Sequence, residues 1–253
     1  MHGFLKRQLK SFWRTYLKRG GSFPHFVEEV PGGNILVFAP HPDDAVFSCG
    51  GTILKSVRSG KSLTIVYMTG GVKGTSDPRQ VNDLSRKRRE EAREGAAAVR
   101  VSNLVFLDFP DLGLHRAKGA TSRTREILSA TKPDVLFLPF FLDAHPDHRA
   151  TADIIYNLIS EGSFAGECYQ YETWTPLPAN ILIDISREIE EKIRAVRCHR
   201  SQISEIALDD FARSLNRYRA MGSRSRLRDY AEAFLHMKAE EYVWLRRDFF
   251  EQI

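Results

Sequence analysis

Short apolar runs, spaced by stretches of helical periodicity, set the pattern of this chain. Ile35-Leu36-Val37-Phe38-Ala39, Leu63 to Met68, Leu104 to Leu107 and Val135 to Phe140 are all of strand length. Strands buried on both faces read this way, and they belong to parallel sheets covered by helices. Helical patterns fall between them, at about Gly50 to Ser59, Val81 to Val99, Thr121 to Ala130 and His148 to Ser160. This alternation predicts an α/β fold: a Rossmann-like, doubly wound, mostly parallel sheet with helices on both faces. Beyond Gly166 the pattern predicts strands over Cys168 to Thr173 and Asn180 to Ile185, then helices near Arg187 to His199 and Asp209 to Met221. It further predicts a helix over Tyr230 to Lys238 and a last edge strand at Tyr242 to Leu245.

The first residues follow a different rule. Leu5, Leu9, Phe12, Trp13, Tyr16 and Leu17 recur at three- and four-residue spacings with cations between them, and Gly20-Gly21 closes the segment. Residues 1–21 therefore read as a basic amphipathic arm, and residues 22–253 as one α/β domain without repeats, low-complexity tracts or a long linker. Two readings of the arm stand side by side: a helix packed on its own domain, or residues 4–19 in peripheral contact with an anionic membrane or a partner.

Charge sharpens this division. The net charge of +5 comes from the arm, where six of the 37 Lys and Arg precede the first acid, Glu28, leaving 31 cations against 32 acids. A near-neutral body argues against a nucleic-acid partner. Hydrophobic residues at 42% supply a globular core, and no apolar stretch reaches the ~20 residues of a membrane span. The opening residues lack the apolar run of a secretory signal. Cys49, Cys168 and Cys198 form no CxxC pair, so a reducing cytoplasm is the expected compartment, with membrane association through the arm as the variant.

Two clusters carry the candidate chemistry. The first apolar strand runs into Pro40-His41-Pro42-Asp43-Asp44, and the run ending at Phe140 is followed by His145-Pro146-Asp147-His148. Ligands bind beyond the carboxyl ends of parallel strands, so these two loops can converge on one site. Imidazole and carboxylate are ordinary zinc ligands, and a catalytic zinc keeps three protein ligands plus an open position. A further carboxylate beside the ligands can act as general base. The rival readings are structural, since an Asp after a strand often caps the next helix. Phosphate binding at Gly50-Gly51 lacks both the GxGxxG spacing and a P-loop Lys. Ser48 does not sit in a GxSxG elbow.

Together these residues resemble the PIG-L/LmbE family of zinc-dependent N-deacetylases. Thr69-Gly70-Gly71, the Arg88-x-x-Glu91 pair, Pro110-Asp111 and His199-Arg200-Ser201-Gln202 agree with that family, so the resemblance spans roughly residues 34 to 202. It implies that His41, Asp44 and His148 ligate Zn2+ or another divalent metal. It also implies that Asp43 is the general base and that His145 polarises the amide carbonyl and protonates the departing amine. Asp147 would orient His145 and raise its pKa, while Arg88 and Asp111 would grip sugar hydroxyls. The implied activity is removal of an N-acetyl group from an N-acetylglucosamine-type sugar or glycoconjugate. A non-sugar amide, or noncatalytic carbohydrate binding, are the alternatives. The chain departs from the family at Ala45 and Val72, where members often carry Glu. The second departure removes a usual sugar contact and leaves the substrate's identity open.

Overall fold

The computed structural model describes residues 24–72, 78–222 and 228–251. The predicted arm, with its proposed membrane contact at residues 4–19, lies outside them. Eight strands form one sheet: β1 (His25–Val27), β2 (Asn34–Ala39), β3 (Ser62–Thr69), β4 (Asn103–Phe109), β5 (Val135–Pro139), β6 (Glu167–Tyr171), β7 (Ile181–Asp184) and β8 (Ala231–Lys238). Their order is β1-β7-β8-β6-β5-β2-β3-β4, and every pairing is parallel except those of β8 with β6 and β7.

The apolar runs are buried on both sides because alternate residues feed two separate cores. Leu36, Phe38, Leu136 and Leu138 point into one, with the helices α3 (Ala120–Thr131), α4 (Pro146–Ser160) and α8 (Ala239–Glu251). Ile35, Val37, Val135 and Phe137 point into the other, with α1 (Asp44–Arg58), α2 (Pro78–Ala98), α5 (Ile189–Arg197) and α7 (Leu208–Met221). A four-residue helix, α6 (Arg200–Ile203), links α5 to α7. Strands packed on both faces have no polar side to show, which explains why these segments read as continuous apolar runs.

Two expectations are corrected. Tyr230 to Lys238 is not a helix: Ala231–Lys238 is the antiparallel strand inserted between β7 and β6. Its Ala, Glu, Leu, Met and Lys are strong helix formers, and tertiary pairing overrides that local preference. Tyr242 to Leu245 is not an edge strand but part of α8, where Tyr242 and Leu245 face the core. Among the described residues no helix is long and apolar enough to cross a membrane.

The chain moves outward from β2 through β3 to β4, then crosses to β5 on the other side of β2. The reversal makes a switch point between β2 and β5. A crevice opens there, beyond the carboxyl ends of the two strands.

Candidate metal centre and active site

Both His/Asp clusters arrive at this crevice. After β2, Pro40 to Pro42 lead into α1, and the His41 N–H donates to Asp44 Oδ2 at 2.8 Å. Asp43 occupies the N-cap position of α1, yet its side chain makes no capping bond. The capping reading of this carboxylate therefore fails, and Asp43 lines the cleft. After β5, His145 caps α4: its Nδ1 accepts from the Asp147 N–H at 3.2 Å. His148, one turn into the helix, is fully buried.

Three side chains meet tightly. His41 Nδ1 and Asp44 Oδ2 are 3.1 Å apart, His148 Nε2 and Asp44 Oδ2 are 3.2 Å apart, and the two imidazole nitrogens are 3.3 Å apart. Ligands about 2.0 Å from a tetrahedral ion are separated by about 3.3 Å, so these three atoms form one face of such a polyhedron. Wider groupings, His41 with His145 and His148 or His41 with Asp111 and Asp147, also lie within 4.8 Å of one another. The tight triangle is the better fit, because its edges match one coordination sphere and its donor set suits zinc.

The remaining ring nitrogens also face carboxylates. His41 Nε2 lies 3.5 Å from Asp147 Oδ2 and 3.6 Å from Asp111 Oδ1. His148 Nδ1 has no hydrogen bond but lies 3.5 Å from Asp143 Oδ1. Carboxylates behind ligating imidazoles fix tautomer and ring orientation. Asp143 escaped the sequence reading because it sits two residues before the His-Pro-Asp-His cluster and carries no motif of its own.

Asp147 departs from its expected partner. Its carboxylate accepts from the Leu112 N–H at 2.7 Å and lies 3.5 Å from His41 Nε2. Toward His145 it acts through its N–H, which donates to Nδ1, and through a charge too weak to offset burial. The Leu112 backbone is left-handed, at φ 56°, a conformation costly for a branched side chain, and the Asp147 bond holds it there. His145 likewise does not become more basic. Burial and the charges on His41 and His148 lower its pKa to about 4. It is then neutral at pH 7, and with Nδ1 accepting, its proton sits on Nε2.

The carboxylates differ as sharply. Burial and the neighbouring Asp44 charge push Asp43 up to about 6, against the pull of His41 and Arg88. Burial alone would raise Asp44, but His148 and His41 hold it far below the usual carboxylate range. His41 would be lowered by burial, yet Asp147, Asp44 and Asp111 raise it to about 10. The site favours positive charge at its centre. Cys49 is no nucleophile, since burial lifts its thiol well above the ordinary value.

A cleft of about 390 Å³ opens over the triangle. Arg88 and Asp111 both line it. Arg88 is buried, its Nε unpaired. It fits only because Gly71, at φ 66°, has no Cβ, which would lie 2.7 Å from Arg88 Nη1. Asp111 Oδ1 is 2.8 Å from Thr69 Oγ1. His199 is buried against Gly95. Glu91 accepts from both the N–H and the hydroxyl of Ser201, anchoring α6. That anchor brings Gln202, Glu205 and Ile206 to the cleft, which Trp174 also lines. Gln202 closes the His199-Arg200-Ser201-Gln202 feature of the sequence, whereas Trp174, Glu205 and Ile206 have no periodic or motif signal and are gathered by the fold alone.

Known proteins similar to this chain include named deacetylases. The PIG-L family model, described as GlcNAc-PI de-N-acetylase, matches residues 36–159. The chain is 30% identical over 193 residues to the diacetylchitobiose deacetylase of Thermococcus kodakarensis, covering 68% of this chain and 70% of that protein. It is 24% identical over 199 residues to a probable N-acetyl-alpha-D-glucosaminyl L-malate deacetylase 2 of Bacillus cereus, covering 73% and 90%. The solved N,N'-diacetylchitobiose deacetylase of Pyrococcus horikoshii superposes with a TM-score of 0.71 at 27% identity, covering 83% of this chain and 85% of that one.

Proposed function

This chain belongs to the PIG-L family of de-N-acetylases, and from that premise we propose that it hydrolyses the N-acetyl amide of an N-acetylglucosamine-type sugar, with Zn2+ held by His41, Asp44 and His148. The observation that carries the reading is the 3.1–3.3 Å triangle of these ligands, with an uncapped Asp43 beside it. Bound zinc supplies Lewis acidity, polarising a carbonyl and acidifying water toward neutrality.

The chain's own groups do the rest. Asp43 is ionised above about pH 6 and accepts a proton from the attacking water. His145 is neutral and donates its Nε2–H to the carbonyl oxygen as negative charge develops there. The amide nitrogen takes the proton that Asp43 accepted from water, the C–N bond breaks as the carbonyl re-forms, and the amine and acetic acid leave with Asp43 again ionised. Asp147 and Asp143 keep the His41 and His148 rings in register. Arg88 and Asp111 offer a donor and an acceptor to sugar hydroxyls at the cleft wall.

Amine release from a panel of N-acetylglucosamine conjugates, with zinc-loaded and chelator-treated protein in parallel, tests the reading. Zinc-dependent release is expected. No release from any conjugate by protein carrying stoichiometric zinc would reject sugar deacetylation in favour of another amide.

A further inference from the structure

His145 reaches the cleft on a loop that lacks backbone partners at a decisive point. Between the end of β5 and the start of α4, Asp143 and Ala144 present two successive carbonyls. Among the described residues no backbone N–H reaches either of them. These are the carbonyls of the two peptide planes that lead into His145, and their orientation sets where the imidazole is delivered. A loop left to solvent at this point would hold a reacting group poorly.

Arg149 closes the gap from the first turns of α4. Its Nη1 donates to Asp143 O at 2.6 Å and to Ala144 O at 2.7 Å. One guanidinium nitrogen carries two protons in a fixed plane, so it serves both carbonyls and fixes their relative direction. Bonds from a charged donor are also stronger than neutral ones. The loop is tied on its N–H side as well. Ala144 N–H donates to Thr175 Oγ1 at 2.9 Å, and the Asp143 carboxylate accepts from the N–H groups of His145 at 2.9 Å and Trp174 at 3.1 Å. Held in this way, His145 enters α4 in extended geometry, at φ −79° and ψ 131°, with Nδ1 on the Asp147 N–H. Arg149 itself does not line the cleft. It lines a separate cavity between α4 and α8, with Arg246 and Phe250, so it acts on the reaction only through the loop.

Resting on the deacetylase reading above, we propose that Arg149 is a positioning residue for His145. It clamps the two peptides before His145 and thereby sets where the Nε2–H meets the oxygen of the reacting carbonyl. The clamp serves the transition state, so its loss falls on kcat and spares KM and the metal triangle.

Full-length, zinc-loaded Arg149→Ala, Arg149→Lys, His145→Ala and the Arg149→Ala/His145→Ala double variant test this, using the conjugate of the panel that releases amine fastest. Arg149→Ala is expected to lower kcat about ten- to hundred-fold, the scale on which a misplaced group costs rate, with KM and zinc affinity nearly unchanged. Arg149→Lys, which keeps a charged donor without the planar fork, should recover part of the loss. In the His145→Ala background the same Arg149→Ala change should cost almost nothing, because the group it positions is gone. Nitrogen-15 NMR of histidine-labelled protein reads the ring without turnover, with His145→Ala assigning the signals. The wild-type His145 ring should be the Nε2–H tautomer, and the Arg149→Ala ring an average of both tautomers. Full kcat in Arg149→Ala, a kcat loss matched by loss of bound zinc, a loss that persists undiminished without His145, or an unmoved tautomer would overturn the clamp. Tautomer averaging in Arg149→Ala, beside wild-type protein that releases no amine from any conjugate, would keep the clamp and reject the deacetylase reading alone.

Discussion

Asp43 and Asp44 are adjacent carboxylates pulled in opposite directions. Asp44 faces two imidazoles, which keep it ionised, while Asp43 lies beside Asp44's charge in a buried setting that lifts it to about 6. Asp43 must be ionised to accept a proton, so kcat/KM should fall on the acid side as pH drops through its pKa. A bound cation lowers that pKa further, placing the limb at or below pH 6 in a pH–rate profile of the loaded enzyme. Stability runs the other way. A carboxyl whose folded pKa is raised above 3.8 keeps its proton longer folded than unfolded, so its ionisation costs stability as pH rises from 4 to 6. Asp43→Asn should therefore lower kcat by about 100-fold or more, and raise the Tm of metal-free protein at pH 8 by a few degrees. Asp147 yields a separate prediction. Because its carboxylate faces His41, Asp147→Asn should weaken zinc affinity about 10- to 100-fold in a competition titration with a chelator.

At the scale of elements, the helix that carries Asp44 is broken. α1 leaves helical geometry at Cys49, with φ −136°, and resumes at Gly50. The Glu232 carboxylate, from β8, accepts from the Gly51 and Thr52 N–H groups at 2.9 and 2.7 Å, capping the second segment. Lys192 of α5 pairs with Glu232 at 2.7 Å and donates to Asn216 of α7 at 2.8 Å, all of it buried. Gly51 lets Ile185 pack against the break, since a Cβ there would lie 2.7 Å from the Ile185 side chain. Removing one member of a buried pair strands the other charge. Glu232→Ala should cost about 3–5 kcal/mol in urea unfolding. The paired change Glu232→Leu with Lys192→Met, which strands no charge, should recover a large part of that loss. The antiparallel strand that the sequence presented as a helix is thus what anchors the helix of the metal site.

The whole molecule places the site where its topology reverses. Two loops, more than 100 residues apart in sequence, meet beyond β2 and β5, and no single loop holds all three ligands. A metal that joins them binds only the folded chain, so its binding energy adds to stability. Chelation should lower Tm by several degrees at neutral pH, and readdition of zinc should restore it together with activity; scanning calorimetry with and without chelator checks this.

The sequence by itself determined the α/β class and the two-faced burial of the central strands, and it singled out His41, Asp44 and His148, whose side chains the fold brings within 3.3 Å of one another. Those features are local: apolar runs report burial directly, and His and Asp in short stiff loops carry their own chemical signature. Tertiary structure decided the rest. It turned Ala231–Lys238 into a strand, since pairing on both sides outweighs helix propensity. It turned the Asp147 carboxylate to His41, because the neighbour of a side chain depends on the approach of another strand end and not on sequence spacing. It set Asp143 behind His148 and brought Trp174 and Glu205 to the cleft through contacts with no periodicity of their own. The chain spelled out the proposed ligands, and only the fold gave them partners and a wall.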